Sequence, residues 1–144
     1  MMRKISAFLC AAMLLTSLML PASAAGSKEE IIDLGDGFYV IRTIETYSMT
    51  RSGDTVYGSV TDKAMYGTTQ IGSATLYATF DISGSSAVAE DAFLTGSGMN
   101  GFTYTSGGTY CGGNRATGTA IFESSTVFKQ LPLAISCTPD GELY

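Results

Sequence analysis

The feature that most constrains the fold is a strict alternation of apolar and polar side chains between Ser73 and Ile82. The apolar positions of this segment are Ala74, Leu76, Ala78, Phe80 and Ile82, and the positions between them are Thr75, Tyr77, Thr79 and Asp81. Side chains of a β-strand point alternately to its two faces, whereas those of a helix repeat every 3.6 residues. The segment therefore predicts a half-buried β-strand.

Two further segments show the same period. One runs from Leu131 to Thr138, and its apolar face carries Leu131, Leu133, Ile135 and Cys137. The other has Ala116, Gly118, Ala120 and Phe122 on one face. Because Pro132 has no backbone N–H to donate, we expect the Leu131 strand to lie at the edge of a sheet, or Pro132 to stand among its first residues.

Glycine-containing turns separate these segments. Gly35-Asp36-Gly37 predicts a hairpin, since glycine adopts the positive φ that a tight turn requires. Further turns are predicted at Gly53-Asp54, Gly84-Ser85, Gly107-Gly108, Gly112-Gly113-Asn114 and Asp140-Gly141. Strands that return at such short intervals are typical of an antiparallel sandwich. We predict an all-β, antiparallel β-sandwich, immunoglobulin-like in layout, with about seven to nine strands.

The N-terminal segment resembles a secretory signal peptide. Arg3-Lys4 precedes an apolar stretch, which ends in the small residues that a signal peptidase prefers. We expect cleavage between Ala24 and Ala25 to remove residues 1–24 and to leave one domain over residues 25–144. The alternative, an uncleaved anchor, would need an apolar run of about 20 residues. Residues 25–30 are expected to be a flexible segment with at most one helical turn.

Export fixes the compartment and the charge of the chain. The formal net charge of −5 becomes −7 once Arg3 and Lys4 are lost, which disfavours nucleic acid and anionic membranes as partners. Cys111 and Cys137 would then be the remaining cysteines in an oxidising environment, so one disulfide between them is expected. The alternative is two small buried thiols in separate strands.

Catalytic chemistry is poorly represented. The chain contains no His and no Trp, which excludes His-dependent nucleophiles and His-ligated metal sites. Carboxylate pairs could still hydrolyse glycans, and the candidates are Glu90 with Asp91, Asp62, and Asp33 with Asp36. Asp33 and Asp36 are also oxygen ligands suited to calcium, but their spacing matches no EF-hand loop or repeat. We predict no catalytic, metal or cofactor site, with these carboxylates at turns and strand ends.

Tyrosines offer the clearest candidate for binding. Seven of them recur along the chain: Tyr39, Tyr47, Tyr57, Tyr66, Tyr77, Tyr104 and Tyr110. Tyr77 shares the hydroxyl-rich face of its strand with Thr75 and Thr79, so these three residues form a candidate binding face. The alternative is that the aromatic residues form cross-strand pairs that only stabilise the sheet.

Three segments resemble those of a group of small secreted proteins from gut Clostridia and related Firmicutes. They are Asp33-Leu34-Gly35-Asp36-Gly37-Phe38-Tyr39, Ala74-Thr75-Leu76-Tyr77-Ala78-Thr79-Phe80, and the ending from Leu131 to Gly141. The resemblance implies an all-β secreted domain and a Gram-positive source, and it carries no catalytic residues. In those proteins the second cysteine lies near the position of Ala89-Glu90, where this chain has none.

The function expected from these features is non-catalytic. We expect a secreted, extracellular domain that binds a surface glycan, a cell-wall component or a protein, without stable membrane insertion after cleavage. One alternative is a carboxylate-based glycan or peptidoglycan hydrolase, and another is a bacteriocin-like antagonist of neighbouring cells.

Overall fold

The computed structural model describes residues 27–49 and 53–144, and this part of the chain is built from strands and turns. The strands are β1 (Lys28–Gly35), β2 (Phe38–Met49), β3 (Thr55–Tyr66), β4 (Thr69–Asp81), β5 (Val88–Gly98), β6 (Thr103–Gly112), β7 (Arg115–Glu123) and β8 (Phe128–Ser136). Within these residues there is no helix that could cross a membrane. The predicted signal peptide and its cleavage site at Ala24 and Ala25 lie outside the described residues.

The strands form two antiparallel sheets. One has five strands in the order β1-β2-β3-β4-β5, and the other has three in the order β6-β7-β8. Buried apolar side chains from both sheets form one core, so the predicted antiparallel β-sandwich is confirmed, and its eight strands lie within the predicted range.

The strand order differs from the immunoglobulin-like layout. In that layout, several strands that are consecutive in the chain lie in different sheets, and Greek-key connections join them. Here each sheet is a simple meander, and the chain passes from one sheet to the other between β5 and β6. The immunoglobulin-like part of the prediction is therefore not confirmed. Alternation and turn positions define strands, but they do not determine which sheet a strand joins.

The tight turns follow the glycine positions. Asp36 and Gly37 have φ values of 53° and 79°, the left-handed pair that a two-residue hairpin turn requires. The predicted hairpin between β1 and β2 is confirmed. Gly107 and Gly108, in contrast, lie inside β6, where the register with β7 shifts between Ser106 and Thr109, so they form a bulge within a strand.

The three alternating segments are strands β4, β7 and β8, and their predicted apolar faces form much of the core. Leu76, Phe80, Phe122, Leu133 and Ile135 are all at most 1% exposed. Glycines let the sheets approach closely, since a Cβ on Gly72 would overlap the ring of Phe122 and one on Gly118 would crowd Leu76. Pro132 lies in β8, an edge strand of its sheet, as predicted.

The two ends of the domain are held by strand-like segments. Lys28, Glu29 and Glu30 belong to β1 and pair with Ile44, Thr43 and Arg42 of β2. These three residues are therefore strand, and they do not form the helical turn that the capping pattern allowed. A neighbouring strand whose backbone groups need partners outweighs a local capping pattern. At the other end Leu143 is buried and bridges to Cys137.

The predicted disulfide is not formed, and Cys111 and Cys137 are free thiols. Cys111 lies on β6 opposite Ala116 of β7, whereas Cys137 follows β8 on the far side of β7. Strands are about 4.8 Å apart, so residues on either side of an intervening strand are separated by roughly 10 Å. A disulfide needs Cα atoms within about 7 Å. The disulfide prediction is therefore wrong, because an even cysteine count does not reveal the register.

We expect both thiols to react slowly with an alkylating agent in the native protein. Burial raises the pKa of Cys137, and burial together with the negative charge of Asp91 raises the pKa of Cys111, so little thiolate is present at neutral pH. Cys111, which is the more exposed, should react first. Mass spectrometry of residues 25–144 should show two alkylated thiols after unfolding in guanidinium. A product lighter by two hydrogens, with no alkylation, would contradict this expectation.

Candidate functional site

The outer face of the five-stranded sheet carries two adjacent cross-strand rows of side chains. In one row Ser59 of β3 pairs with Tyr77 of β4, and Tyr77 pairs with Phe93 of β5. In the other row Tyr57 pairs with Thr79, and Thr79 pairs with Asp91. These pairings bring residues from three strands together, because residues directly opposite each other point to the same face.

Aromatic rings stack along the first row. The ring centroids of Tyr77 and Phe93 are 4.7 Å apart with an interplanar angle of 15°, and those of Tyr47 and Tyr77 are 6.1 Å apart. Tyr47 reaches Tyr77 across the small residue Ser59, whose hydroxyl donates a hydrogen bond of 3.1 Å to Tyr47 Oη. The outermost ring of this stack, Phe93, remains 58% exposed. One face of Phe93 therefore packs on Tyr77, while the other is free.

A pocket of about 130 Å³ lies between the two rows. Its side-chain walls are Tyr47, Tyr57, Tyr77, Thr79, Asp91 and Phe93, and we call it the aromatic pocket. The backbone of Gly58 and Ala78, which pair with each other, completes its lining. Three tyrosines and one phenylalanine thus surround a small space that holds one carboxylate.

The polar groups of the aromatic pocket have distinct environments. Asp91 is exposed, and its Oδ1 accepts a hydrogen bond of 2.9 Å from the backbone N–H of Ala92. The hydrogen bond from Ser59 lowers the pKa of Tyr47, but burial and the neighbouring Glu45 carboxylate outweigh it, so the net pKa is raised. Tyr47 is therefore a neutral phenol over the ordinary pH range.

The candidate face from the sequence falls partly on this pocket. Tyr77 and Thr79 line it, whereas Thr75 lies one row further along β4. Thr75 belongs to an in-register ladder with Thr43, Thr61 and Thr95 on the neighbouring strands. Thr61 Oγ1 and Thr75 Oγ1 are 2.9 Å apart. Thr75 therefore has a hydrogen-bonded partner within the sheet.

Sequence reasoning missed Phe93. It lies on the same outward face as Asp91 and Thr95, while Ala92 and Leu94 face the core, so its segment also alternates with period two. That alternation could have indicated an outward-pointing aromatic residue. Its stacking on Tyr77 could not be read from the sequence, because it depends on the register between β4 and β5.

The remaining tyrosines do not join the aromatic pocket. Tyr66 stacks on Phe38 at 4.4 Å, and Tyr104 packs against Phe122 at 5.8 Å. Tyr110 is exposed on β6, in the other sheet. Tyr39 lies by the turn between β1 and β2. The seven tyrosines therefore do not form one common face.

Asp62, one of the candidate catalytic carboxylates, is held in a buried ion pair. It is 1% exposed, and its two carboxylate oxygens accept hydrogen bonds of 2.8 Å and 2.7 Å from Arg42 Nε and Nη2. Arg42 Nη2 also donates to the carbonyl of Pro132 at 3.3 Å. The hydrogen bonding of the Arg42 guanidinium to the Asp62 carboxylate is the main cause of the raised pKa of Arg42. Arg42 thus connects β3 to the opposite sheet.

Of the other candidate carboxylates, Asp91 lines the aromatic pocket, and Glu90, Asp33 and Asp36 lie at bends or register shifts of the backbone. Glu90 falls where the register between β4 and β5 shifts, beside the pairs Thr79–Asp91 and Phe80–Ala89. Asp33 Oδ1 accepts a hydrogen bond from the Gly35 N–H at 2.8 Å, and Asp36 forms the turn that follows. Among the described residues, no group of three or more His, Cys, Asp or Glu side chains could hold a metal ion.

The chain was compared with protein-family models, with curated proteins and with solved structures, and none of the three comparisons finds a match.

Proposed function

We propose that this protein is a secreted, non-catalytic domain of a Gram-positive bacterium that binds an extracellular glycan at the aromatic pocket. The observation that carries the proposal is the exposed stack of Tyr47, Tyr77 and Phe93 beside Asp91 and Thr79. Sugar rings combine apolar C–H faces with hydroxyl groups. An aromatic surface next to hydrogen-bonding side chains is complementary to both.

Exposure supports a role beyond sheet stability. Cross-strand aromatic pairs stabilise a sheet wherever they occur, but Phe93, Tyr47 and Tyr57 remain 58%, 54% and 41% exposed on one side of the domain. Large apolar groups clustered at a surface are typical of interaction sites. The small pocket between them gives the cluster a shape that a single sugar unit can enter.

The composition of the pocket favours binding over hydrolysis. A two-carboxylate glycosidase mechanism needs a second Asp or Glu at about 5 to 10 Å from the first. Asp91 is the one carboxylate among the described residues that line the aromatic pocket, and the nearby Glu45 acts on the hydroxyl of Tyr47. Asp62, the most buried alternative, is fully engaged by Arg42 inside the sandwich.

Replacing Phe93→Ala should weaken glycan binding about tenfold or more, because it removes the exposed ring at the end of the stack. Binding would be measured by calorimetry on soluble cell-wall polysaccharide fragments from Gram-positive cells. Phe128→Ala is the matched control, since Phe128 is also 58% exposed but lies on β8 of the other sheet.

The Phe128→Ala variant should bind as the unmodified domain does. Equal losses in the two variants, or binding unaffected by Phe93→Ala, would count against the aromatic pocket as the glycan site.

A further inference from the structure

The charge of the aromatic pocket selects among the glycans that could enter it. Asp91 contributes a carboxylate to the wall, and none of the described residues that line the pocket is basic. The two ion pairs found in the described part of the chain join Lys28 to Glu142 and Arg42 to Asp62. No described cation therefore neutralises Asp91.

A second carboxylate lies next to the same stack. Glu45 pairs with Ser59 at the start of the aromatic row and acts on the hydroxyl of Tyr47, whose pKa it helps to raise. The whole chain is also acidic, with a formal net charge of −5. These two carboxylates favour a cation over an anionic sugar at the aromatic pocket.

The walls of the pocket match a cation in a second way. Aromatic rings attract ammonium groups over their faces, and the stack leaves a face of Phe93 exposed, because Tyr77 lies between Tyr47 and Phe93. A carboxylate beside such rings adds a direct ion pair. A neutral sugar could use the rings and donate hydrogen bonds to Asp91, but it would form no ion pair.

We infer that the aromatic pocket binds an ammonium group carried by the glycan, either a quaternary ammonium or a protonated amine. The inference rests on the proposed function and names its ligand class. The ammonium group would lie close to Asp91 and to the exposed face of Phe93, which are two residues apart on the outward face of β5.

The direct test compares choline with its neutral isostere 3,3-dimethylbutan-1-ol, in which carbon replaces the charged nitrogen. Binding of each to the domain comprising residues 25–144 would be followed by NMR titration of the tyrosine resonances. We expect choline to shift the signals of the pocket tyrosines and to bind at least tenfold more tightly than the isostere. Comparable affinity for the two compounds, or no binding of either choline or the glucosamine oligosaccharides described below, would overturn the inference.

Two variants locate the effect. Asp91→Asn removes the charge at an exposed position with little change of shape, so it should weaken choline binding at least fivefold while leaving the neutral isostere unchanged. Phe128→Ala should bind choline as the unmodified domain does. Retention of full choline affinity by Asp91→Asn would show that the carboxylate does not select the ligand, and would overturn the inference.

A second arm distinguishes the source of the ammonium group. Oligosaccharides of glucosamine carry a protonated amine on each sugar, whereas their N-acetylated counterparts are neutral. Tighter binding of the glucosamine form identifies an amino sugar as the source, and binding of choline alone identifies a choline substituent. Equal binding of both oligosaccharides, with no choline binding, would overturn the inference and leave the glycan proposal standing. Choline binding without binding of any glycan would overturn the glycan proposal alone.

Discussion

Replacing Asp62→Asn should destabilise the domain by about 3 kcal/mol and lower its melting temperature by roughly 10 °C. The substitution keeps the shape of the side chain but leaves the Arg42 guanidinium without its charged partner. Arg42 is 19% exposed and Asp62 is 1% exposed, so water can replace only part of the lost interaction. Urea denaturation followed by far-UV circular dichroism would give the change in the free energy of unfolding.

A double substitution separates the cost of an unpaired charge from the contribution of the pair. Arg42→Met with Asp62→Leu removes both charges and fills similar volume, so its stability should return to within about 1 kcal/mol of the unmodified domain. A double variant as unstable as Asp62→Asn would show that the ion pair itself, together with the bond to Pro132, is required. Both variants should retain ligand binding, because the pair lies on the inner face of the sheet.

The buried pair of Arg42 and Asp62 shows what a local residue pattern can predict and what it cannot. Asp62 alternates with Val60 and Ala64, both buried, so its inward orientation was available from the sequence. Its partner was not, because Arg42 is 20 residues away and meets Asp62 only through the register of β2 and β3. From the sequence alone, Asp62 is a candidate catalytic carboxylate because no partner is evident. Its pairing with Arg42 in the sheet shows that it belongs to a buried ion pair.

The sequence predicts where strands lie and which of their side chains face the core, because both follow from local patterns. The apolar faces of β4, β7 and β8 follow from a period of two, which is a property of each strand alone. The edge position of Pro132 followed from its missing N–H group. The meander order and the separation of Cys111 from Cys137 depend on contacts between distant segments, which no local pattern contains.

Some residues of the candidate site can be predicted from one strand alone, whereas others depend on how the strands pair. The outward orientation of Tyr77 and Thr79 was evident from β4 alone, but the pocket also needs Tyr47, Tyr57, Asp91 and Phe93 from three other strands. Ser59 is small enough for Tyr47 to reach Tyr77 across it, and the backbone of Gly58 and Ala78 completes the lining between the two rows. The aromatic pocket is therefore a product of register.

The binding face and the core share the same strand. On β4 the outer residues Tyr77 and Thr79 line the aromatic pocket, while Leu76, Ala78 and Phe80 are buried in the core. A one-residue slip of β4 would exchange these two sets. The packing between the sheets thus fixes the position of the pocket residues, and variants of the core test how firmly this register is held.

Replacing Phe122→Ala should destabilise the domain by about 3 to 5 kcal/mol. Phe122 is fully buried, packs against Tyr104, and lies over Gly72 of the opposite sheet. Its loss leaves a cavity that Gly72 has no side chain to fill. Urea denaturation would measure the loss, and Phe128→Ala, in the neighbouring strand of the same sheet, is the control with an expected change below about 0.5 kcal/mol.

The comparison of these two phenylalanines tests the fold directly. Both lie in the three-stranded sheet, but Phe122 faces the five-stranded sheet and Phe128 is 58% exposed to solvent. Similar losses in both variants would contradict the packing of Phe122 against Gly72. A large loss confined to Phe122→Ala, with the reduced stability still measured as one cooperative transition, would show that the two sheets unfold together and that contact across the core holds the binding face in register.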